Sequence, residues 1–335
     1  MSRRPRLGFL GLGWIGRMRL EALTATELVE VAALADPNGA TLEAARSLAP
    51  SARAFSTLDE LLECDLDAIV IATPSGLHAE HCLQAFERGL AVFCQKPLAR
   101  SASEVERVVT AARSHDRLLG VDFCYRGSKA LVALRDAVKS GSIGRVYAAE
   151  LTFHNAYGPD KAWARDRERA GGGCLLDLGV HLLDAVYWTL GAVGPVRSAH
   201  AAMFAHGRPL KAATEVEDFA LAELVLGDAP ALSLACSWQA SFGDHAAIRI
   251  ALFGSEGGAL FSNVNGSFFD FRCERFRGTA REILYEGGDD WSGRTIVEFA
   301  ARLAESPRFR EDEQLLPVAG ALDALYARRD SAVTL

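Results

Sequence analysis

Two short stretches carry residue types suited to moving a proton. Asp177 and His181 stand four apart in GGGCLLDLGVHLLD, and Asp184 follows three residues later. At helical spacing all three share one side. A carboxylate beside an imidazole can orient it, so the pair has the make-up of a general acid or base with its partner. Gly171, Gly172 and Gly173 precede it and would let backbone come close to a ligand. A satisfied histidine on a capped helix is the alternative. A metal site is not expected, because no third ligand stands at a suitable spacing and neither C-x-x-C nor H-E-x-x-H occurs. The second stretch is Gln95-Lys96-Pro97. Proline biases Lys96 toward an extended backbone. A lysine held there can polarise a substrate oxygen or shift its own pKa when desolvated. An ordinary solvated lysine is the alternative.

A third stretch speaks to phosphate. Gly11-Leu12-Gly13-Trp14-Ile15-Gly16 reads G-x-G-x-x-G between a short apolar run and a helical stretch. That context is what a dinucleotide turn requires. The first glycine permits the turn, the second admits the pyrophosphate, and the third lets helix and strand pack closely. The pyrophosphate would rest on the free N–H groups of the helix start. Asp36 lies twenty residues beyond Gly16, at the end of VAALAD. An acid there accepts from ribose hydroxyls and repels a 2′-phosphate, so NAD is favoured over NADP. Arg46 keeps NADP open as the lesser alternative. Thr73 and Pro74 follow the AIVI run, where ligands of open α/β sheets bind. His78 is expected either near the cofactor or on the surface in a first helical turn.

The elements that would position these residues fall into two groups. Over residues 1–123, wholly apolar runs alternate with helical stretches, which predicts βαβ units and a doubly wound, Rossmann-type parallel sheet. Over 124–335 the pattern changes. A helix is expected at 127–140, a loop at 155–173 and a helix at 175–190. Strand-like runs then follow at 196–203, 216–226, 231–238, 246–253, 259–262 and 268–272. Strands in succession with short turns predict an open, largely antiparallel sheet, so this domain is α+β. Two helices close the chain near 291–304 and 317–328. The second is a candidate to pack back on the first domain.

Composition bounds the partners. With 335 residues the chain has material for two domains, at about 150 residues each. A net charge of −7 gives no basic stripe for nucleic acid. The seven cysteines are odd in number, which suits reduced thiols in a cytoplasmic protein. Arg3-Arg4 runs directly into an apolar strand rather than an export signal. No run is expected to reach the about 18 apolar residues of a membrane span.

Taken together, GLGWIG with Asp36, ATPSGLH, QKP, GGGCLLDLGVHLLD and FGSEGGALF resemble the Gfo/Idh/MocA oxidoreductase family over essentially the whole length. The resemblance implies a Rossmann domain followed by an open sheet domain, and a homodimer or homotetramer built through that sheet. It implies hydride transfer between NAD(P) and a carbinol or ketone carbon of a sugar-like small molecule. Lys96 then corresponds to a catalytic lysine, with Asp177 and His181 as the aspartate and the acid/base histidine. Tyr125 and Arg126 match a stretch that often reaches substrate. His154, Tyr157, Trp163 and Arg165 are candidate substrate contacts from the following loop. His181 would take the hydroxyl proton, Lys96 would stabilise charge on the oxygen, and Asp177 would orient substrate or imidazole. Gln95 departs from the family's glutamate. An amide cannot raise its neighbour's pKa as a carboxylate does, so Lys96 is expected to lose its proton more easily. A non-catalytic NAD-binding regulator and an NAD-dependent glycosidase of the same family are the rival readings.

Overall fold

The computed structural model describes residues 3–191, 193–211, 214–228, 230–312 and 314–327. The chain divides into two units, one of residues 1–124 with 293–312 and one of 125–292 with 313–335.

In the first unit, strands and helices alternate as β1 Arg6–Leu10, α1 Trp14–Thr24, β2 Glu30–Ala35, α2 Gly39–Arg46, β3 Arg53–Phe55, α3 Leu58–Leu62, β4 Ala68–Ile71, α4 His78–Glu87, β5 Ala91–Cys94, α5 Ala102–Ser114 and β6 Leu119–Val121. The strands form one parallel sheet in the order β3-β2-β1-β4-β5-β6. Every residue of β4 and β5 is buried, as expected of strands covered on both faces. The order reverses between β1 and β4, the place where open α/β sheets bind ligands. The glycine turn leaves β1 there, and Thr73 leaves β4. A later helix, α9 Arg294–Glu305, belongs to this unit. Its Ile296, Phe299, Ala300 and Leu303 recur at helical spacing and join the core, with Phe299 against Phe93 at 5.3 Å. Burying each of the larger three contributes roughly 1.5–3 kcal/mol.

The second unit comprises α6 Lys129–Lys139, β7 Val146–Asn155, α7 Arg167–Ala170, a π-helical turn Leu175–Gly179, and α8 Val180–Leu190. Then come β8 Val196–Ala205, β9 Arg208–Pro209, β10 Phe219–Leu226, β11 Ala231–Ser237, β12 Ala246–Gly254, β13 Gly258–Asn263, β14 Phe271–Arg277, β15 Ala280–Gly287 and α10 Leu315–Ala327. The nine strands run β15-β14-β13-β12-β7-β11-β10-β8-β9. All neighbours are antiparallel except β7 and β11. In β10, Ala220, Ala222, Leu224 and Leu226 face inward while Leu221 and Glu223 face out, the alternation of a sheet covered on one side. Helices α6, α8 and α10 pack on it.

Three expectations are corrected. The helix that joins the first unit is α9, whereas α10 packs on α8 and β8 of the second. Leu315, Val318, Ala319, Ala321, Leu322 and Leu325 are buried in that contact, and Arg328, where the expected helix ended, lies outside the described residues. Strands β3 and β15 were not expected. Each is an edge strand that is mostly exposed, so no apolar alternation marks it. Among the described residues, one helical stretch, Arg167–Leu190, is long and apolar enough to cross a membrane by length and composition. Its best window is 83% buried inside the structure, as befits a core helix, with α8 packed against β7, α6 and α10.

Candidate active site

The first unit offers a dinucleotide cradle. Gly11 has φ +86°, and a Cβ there would lie 2.5 Å from the carbonyl oxygen of Ala72. A Cβ on Gly16 would meet the Gly11 oxygen at 2.1 Å. Gly13 differs, because nothing lies within 4 Å of the place its Cβ would take. It begins α1 with no side-chain cap, while Asn38, Thr57 and Ser101 cap α2, α3 and α5. The start of α1 therefore keeps donors for an anion. Trp14 is exposed beside it, and Ile15 is half-buried. The Asp36 carboxylate accepts from the N–H of Leu12 at 2.7 Å and of Asn38 at 2.8 Å. It thus shapes the glycine turn as well as marking the end of β2. These residues fit a bound dinucleotide.

At the neighbouring strand end, Lys96 is half-buried and Gln95 is buried. The Gln95 amide donates to the Asp122 carboxylate, which also accepts from Arg19 Nε at 2.5 Å and Thr295 Oγ1 at 2.7 Å. The amide is thus fitted to a buried ion pair linking α1, β5 and α9. A glutamate there would face a second carboxylate, which gives position 95 a reason apart from Lys96. His78 is buried rather than on the surface. Its Nδ1 lies 2.7 Å from the Pro97 oxygen and its Nε2 2.7 Å from the Thr73 oxygen. Burial pushes its pKa down against those carbonyls, and the charge of Lys96 adds to the effect. The neutral ring donates to one carbonyl at a time, tying the β4 and β5 exits together. Thr73 Oγ1 also meets His81 Nδ1 at 3.1 Å. Pro74 precedes a 3₁₀ turn, Ser75–Leu77.

The second unit holds Asp177 and His181. The segment that carries Asp177 is a π turn, which the sequence reading took for plain α-helix. Such turns concentrate at functional sites. Asp177 Oδ2 accepts from the indole N–H of Trp238 at 2.9 Å. His181 is 8% exposed, with the Tyr125 ring edge-on at 4.9 Å and Phe153 at 6.4 Å. Tyr125 in turn stacks on Trp291 at 5.0 Å. Arg126 is committed to both carboxylate oxygens of Asp184. This bidentate pair fixes the Tyr125 segment to α8.

The glycines before this turn are filled by the protein itself. A Cβ on Gly172 would lie 2.2 Å from the Tyr326 hydroxyl, and one on Gly173 would lie 1.9 Å from the Glu217 carbonyl oxygen. The expectation that a ligand approaches backbone at these two positions is therefore corrected, since Glu217 and Tyr326 hold that space. Glu217 is fully buried, and burial pushes its carboxyl pKa up against the bonds it accepts and the attraction of Arg167.

Of the loop candidates, His154 lies instead on β7 and meets β11 and β10, while Tyr157 and Arg165 are tied to the segment after β11. His154 Nδ1 meets Ser237 Oγ at 2.8 Å, and the ring stacks on Phe219, with burial pushing its pKa down. The hydroxyl of the exposed Tyr157 meets His245 Nδ1, and Arg165 donates to Gln239 at 2.9 Å. Trp163 is half-buried in the 3₁₀ turn Ala162–Arg165. Sequence reading missed Asp122, Arg19, Glu217, Trp238 and Tyr326. Trp238 left a weak signal, a donor-only aromatic at a strand end. Glu217, between Glu215 and Asp218, left none.

Residues 6–123 match an oxidoreductase family described as having an NAD-binding Rossmann fold, and residues 131–260 match the GFO/IDH/MocA C-terminal domain. The rhizopine catabolism protein MocA of Rhizobium meliloti is 30% identical over 190 residues, 56% of this chain and 58% of its own length. The chain thus spans little more than half of that relative. A putative UDP-kanosamine synthase oxidoreductase subunit of Amycolatopsis mediterranei is 29% identical over 98% of this chain and 96% of its own. A 3-ketoreductase from Actinomadura kijaniata, solved with NADP and TDP-benzene, shares the fold with a TM-score of 0.83 at 22% identity, covering 98% of each chain. An NAD(P)-binding Rossmann unit followed by the matching C-terminal sheet unit makes this chain a member of the Gfo/Idh/MocA oxidoreductase family.

Proposed function

We propose that this chain is an NAD(P)-dependent oxidoreductase acting on a carbinol or ketone carbon of a sugar, polyol or related small molecule. The observation that carries the reading is the open turn at Gly13, at the uncapped start of α1, in the unit that also presents Lys96. Other relatives bear the names 1,5-anhydro-D-fructose reductase and myo-inositol 2-dehydrogenase, which supports the substrate class. When bound, the nicotinamide supplies hydride chemistry. The chain's own residues supply positioning and proton traffic. His181 exchanges the proton of the substrate hydroxyl, with its ring held by Tyr125 and Phe153. Lys96 stabilises charge on that oxygen. Asp177, fixed by Trp238, orients the reacting groups. Asp36 supports NAD over NADP, since its carboxylate would repel a 2′-phosphate.

The test is a panel of sugars, polyols and their ketones with each cofactor, read by the absorbance of reduced nicotinamide. Turnover with NAD exceeding that with NADP is expected. His181→Ala should leave NAD affinity unchanged and slow turnover by roughly 10²–10⁴. Undiminished turnover would remove His181 from the mechanism. Binding without turnover would favour a regulator. Sugar release without net reduced cofactor would favour a glycosidase.

We also propose that the chain forms a homodimer or homotetramer and resides in the cytoplasm. Tyr147, Leu221 and Phe253 are exposed large side chains on strands of the second sheet, which supports a homodimer or homotetramer formed there. Sedimentation as a monomer would reject it. All seven cysteines are free, which supports a cytoplasmic location, to be checked by cell fractionation.

A further inference from the structure

We infer that Glu217 is a positioning residue for the acid–base pair, its carboxylate holding the backbone turn that presents Asp177 and His181. The inference rests on the proposed reaction and deepens it. Oε1 of Glu217 accepts the N–H of Gly173 at 2.9 Å, the N–H of Leu175 at 3.0 Å and the hydroxyl of Tyr326 at 2.7 Å. The main-chain oxygen of Glu217 accepts the N–H of Cys174 at 2.9 Å. Three consecutive amides are thus bound to one residue, and Asp177 stands two residues beyond the last. A helix start ordinarily leaves such amides to a local cap or to water. Here a carboxylate from the entrance of β10 takes that role from outside the helix, where negative charge suits the dipole.

The arrangement is not the one stability alone would favour. Glu217 Oε2 is buried without a hydrogen bond, and so is Arg167 Nη1, the two meeting only as a long ion pair at 4.0 Å. A half-satisfied buried carboxylate costs free energy that an amide would avoid. The groups facing it are Arg167 before the π turn, Tyr326 on α10 and Cys174 beside Gly173. What the site gains is a rigid origin for the turn. Oε1 fixes where Asp177 begins, and α8 carries the same register to His181.

The test uses the full-length chain with Glu217→Leu, Glu217→Gln and Tyr326→Phe. It reads kcat and KM on the sugar found by the panel, NAD affinity by fluorescence, and hydrogen exchange of the peptide over 171–182. Glu217→Leu removes the acceptor, and a misplaced pair should lower kcat about 10- to 100-fold. NAD affinity should stay unchanged and exchange over 171–182 should rise. Glu217→Gln keeps a carbonyl oxygen and should stay within about threefold of the parent, with Tyr326→Phe falling between the two. Unchanged kcat or unchanged exchange in Glu217→Leu would overturn the inference. So would a Glu217→Gln loss equal to that of Glu217→Leu. Should Glu217→Leu fail to fold, Tyr326→Phe decides, and full activity in it overturns the inference. Absence of turnover by the parent on every sugar would count against the oxidoreductase reading instead. Exchange in Glu217→Leu would then still decide whether Glu217 holds the turn.

Discussion

Two glycine clusters in this chain carry the same promise in sequence and keep it differently. Gly11, Gly13 and Gly16 open the first helix, and Gly171, Gly172 and Gly173 precede the turn of Asp177. Both say that backbone is closely approached. At Gly13 the space is open. At Gly172 and Gly173 it is occupied by Tyr326 and Glu217 of the same unit. A glycine run reports a close approach without reporting what approaches. In the first unit the space is left open, and in the second it is filled by side chain and backbone packed against the turn that carries Asp177.

The largest expected effect sharpens this contrast. Gly173→Ala sets a methyl against the Glu217 backbone, which cannot swing away as a side chain can. Urea unfolding should show a loss of about 3 kcal/mol or more, the upper range for overpacking. Gly13→Ala should leave stability within about 0.5 kcal/mol, as for a site free of contacts. Equal losses in the two variants would break the comparison.

A second variant separates the two buried carboxylates. Asp122 is in direct contact with Arg19 at 2.5 Å, whereas Glu217 is hydrogen-bonded by neutral donors and meets Arg167 only in a long ion pair at 4.0 Å. Gln95→Glu would set a second carboxylate on the oxygen that Arg19 already serves. Stability near neutral pH should fall by about 1–3 kcal/mol, and acidification should recover part of it as the pair shares a proton. A variant as stable as the parent at every pH would show that Asp122 does not dictate the amide. A smaller effect follows at the open glycine. Gly13→Ala should weaken NAD binding at least about tenfold, or about 1.4 kcal/mol, through contact with the pyrophosphate. Titration calorimetry showing parent-like affinity would move the cofactor off this turn.

How much of this was legible follows from where each signal lives. The parallel sheet, the glycine turn and Asp36 are local patterns, so strand, spacing and acid agreed before any coordinate. The antiparallel sheet was legible wherever one face is buried, and β15 escaped because both its faces are mostly wet. Asp177 and His181 were visible as a pair, but the π turn between them was not, since an extra residue in a helical turn leaves the apolar pattern nearly intact. Gln95 stood out as a departure whose cause was 27 residues away in Asp122. Glu217 and Tyr326 are 109 residues apart and meet only on folding, so neither position could be told from its neighbours.

The smallest effect is a difference of sign between the units with pH. In the first unit, burial lowers the pKa of His81 to about 4, with the nearby His78 adding to it. Between the unfolded value near 6.5 and about 4, the unfolded chain binds a proton that the folded chain refuses. Stability from His81 is therefore present above the unfolded value and lost as pH falls. In the second unit, burial raises the pKa of Glu217 above its unfolded value near 4.5. Between those values the folded chain keeps a proton that the unfolded chain has released. Its contribution is therefore present at low pH and lost as pH rises through the folded value. His154, half-buried in the same unit, acts in the His81 direction, so the contrast must be read from variants rather than from the whole curve. Urea midpoints compared from about pH 4.5 to about pH 7.5 should show the parent's advantage over His81→Gln growing with pH. Over the same range, the parent's standing against Glu217→Gln should decline. Parallel slopes would mean that Glu217 is already ionised throughout the range, and that the guanidinium of Arg167, despite its distance, governs the site.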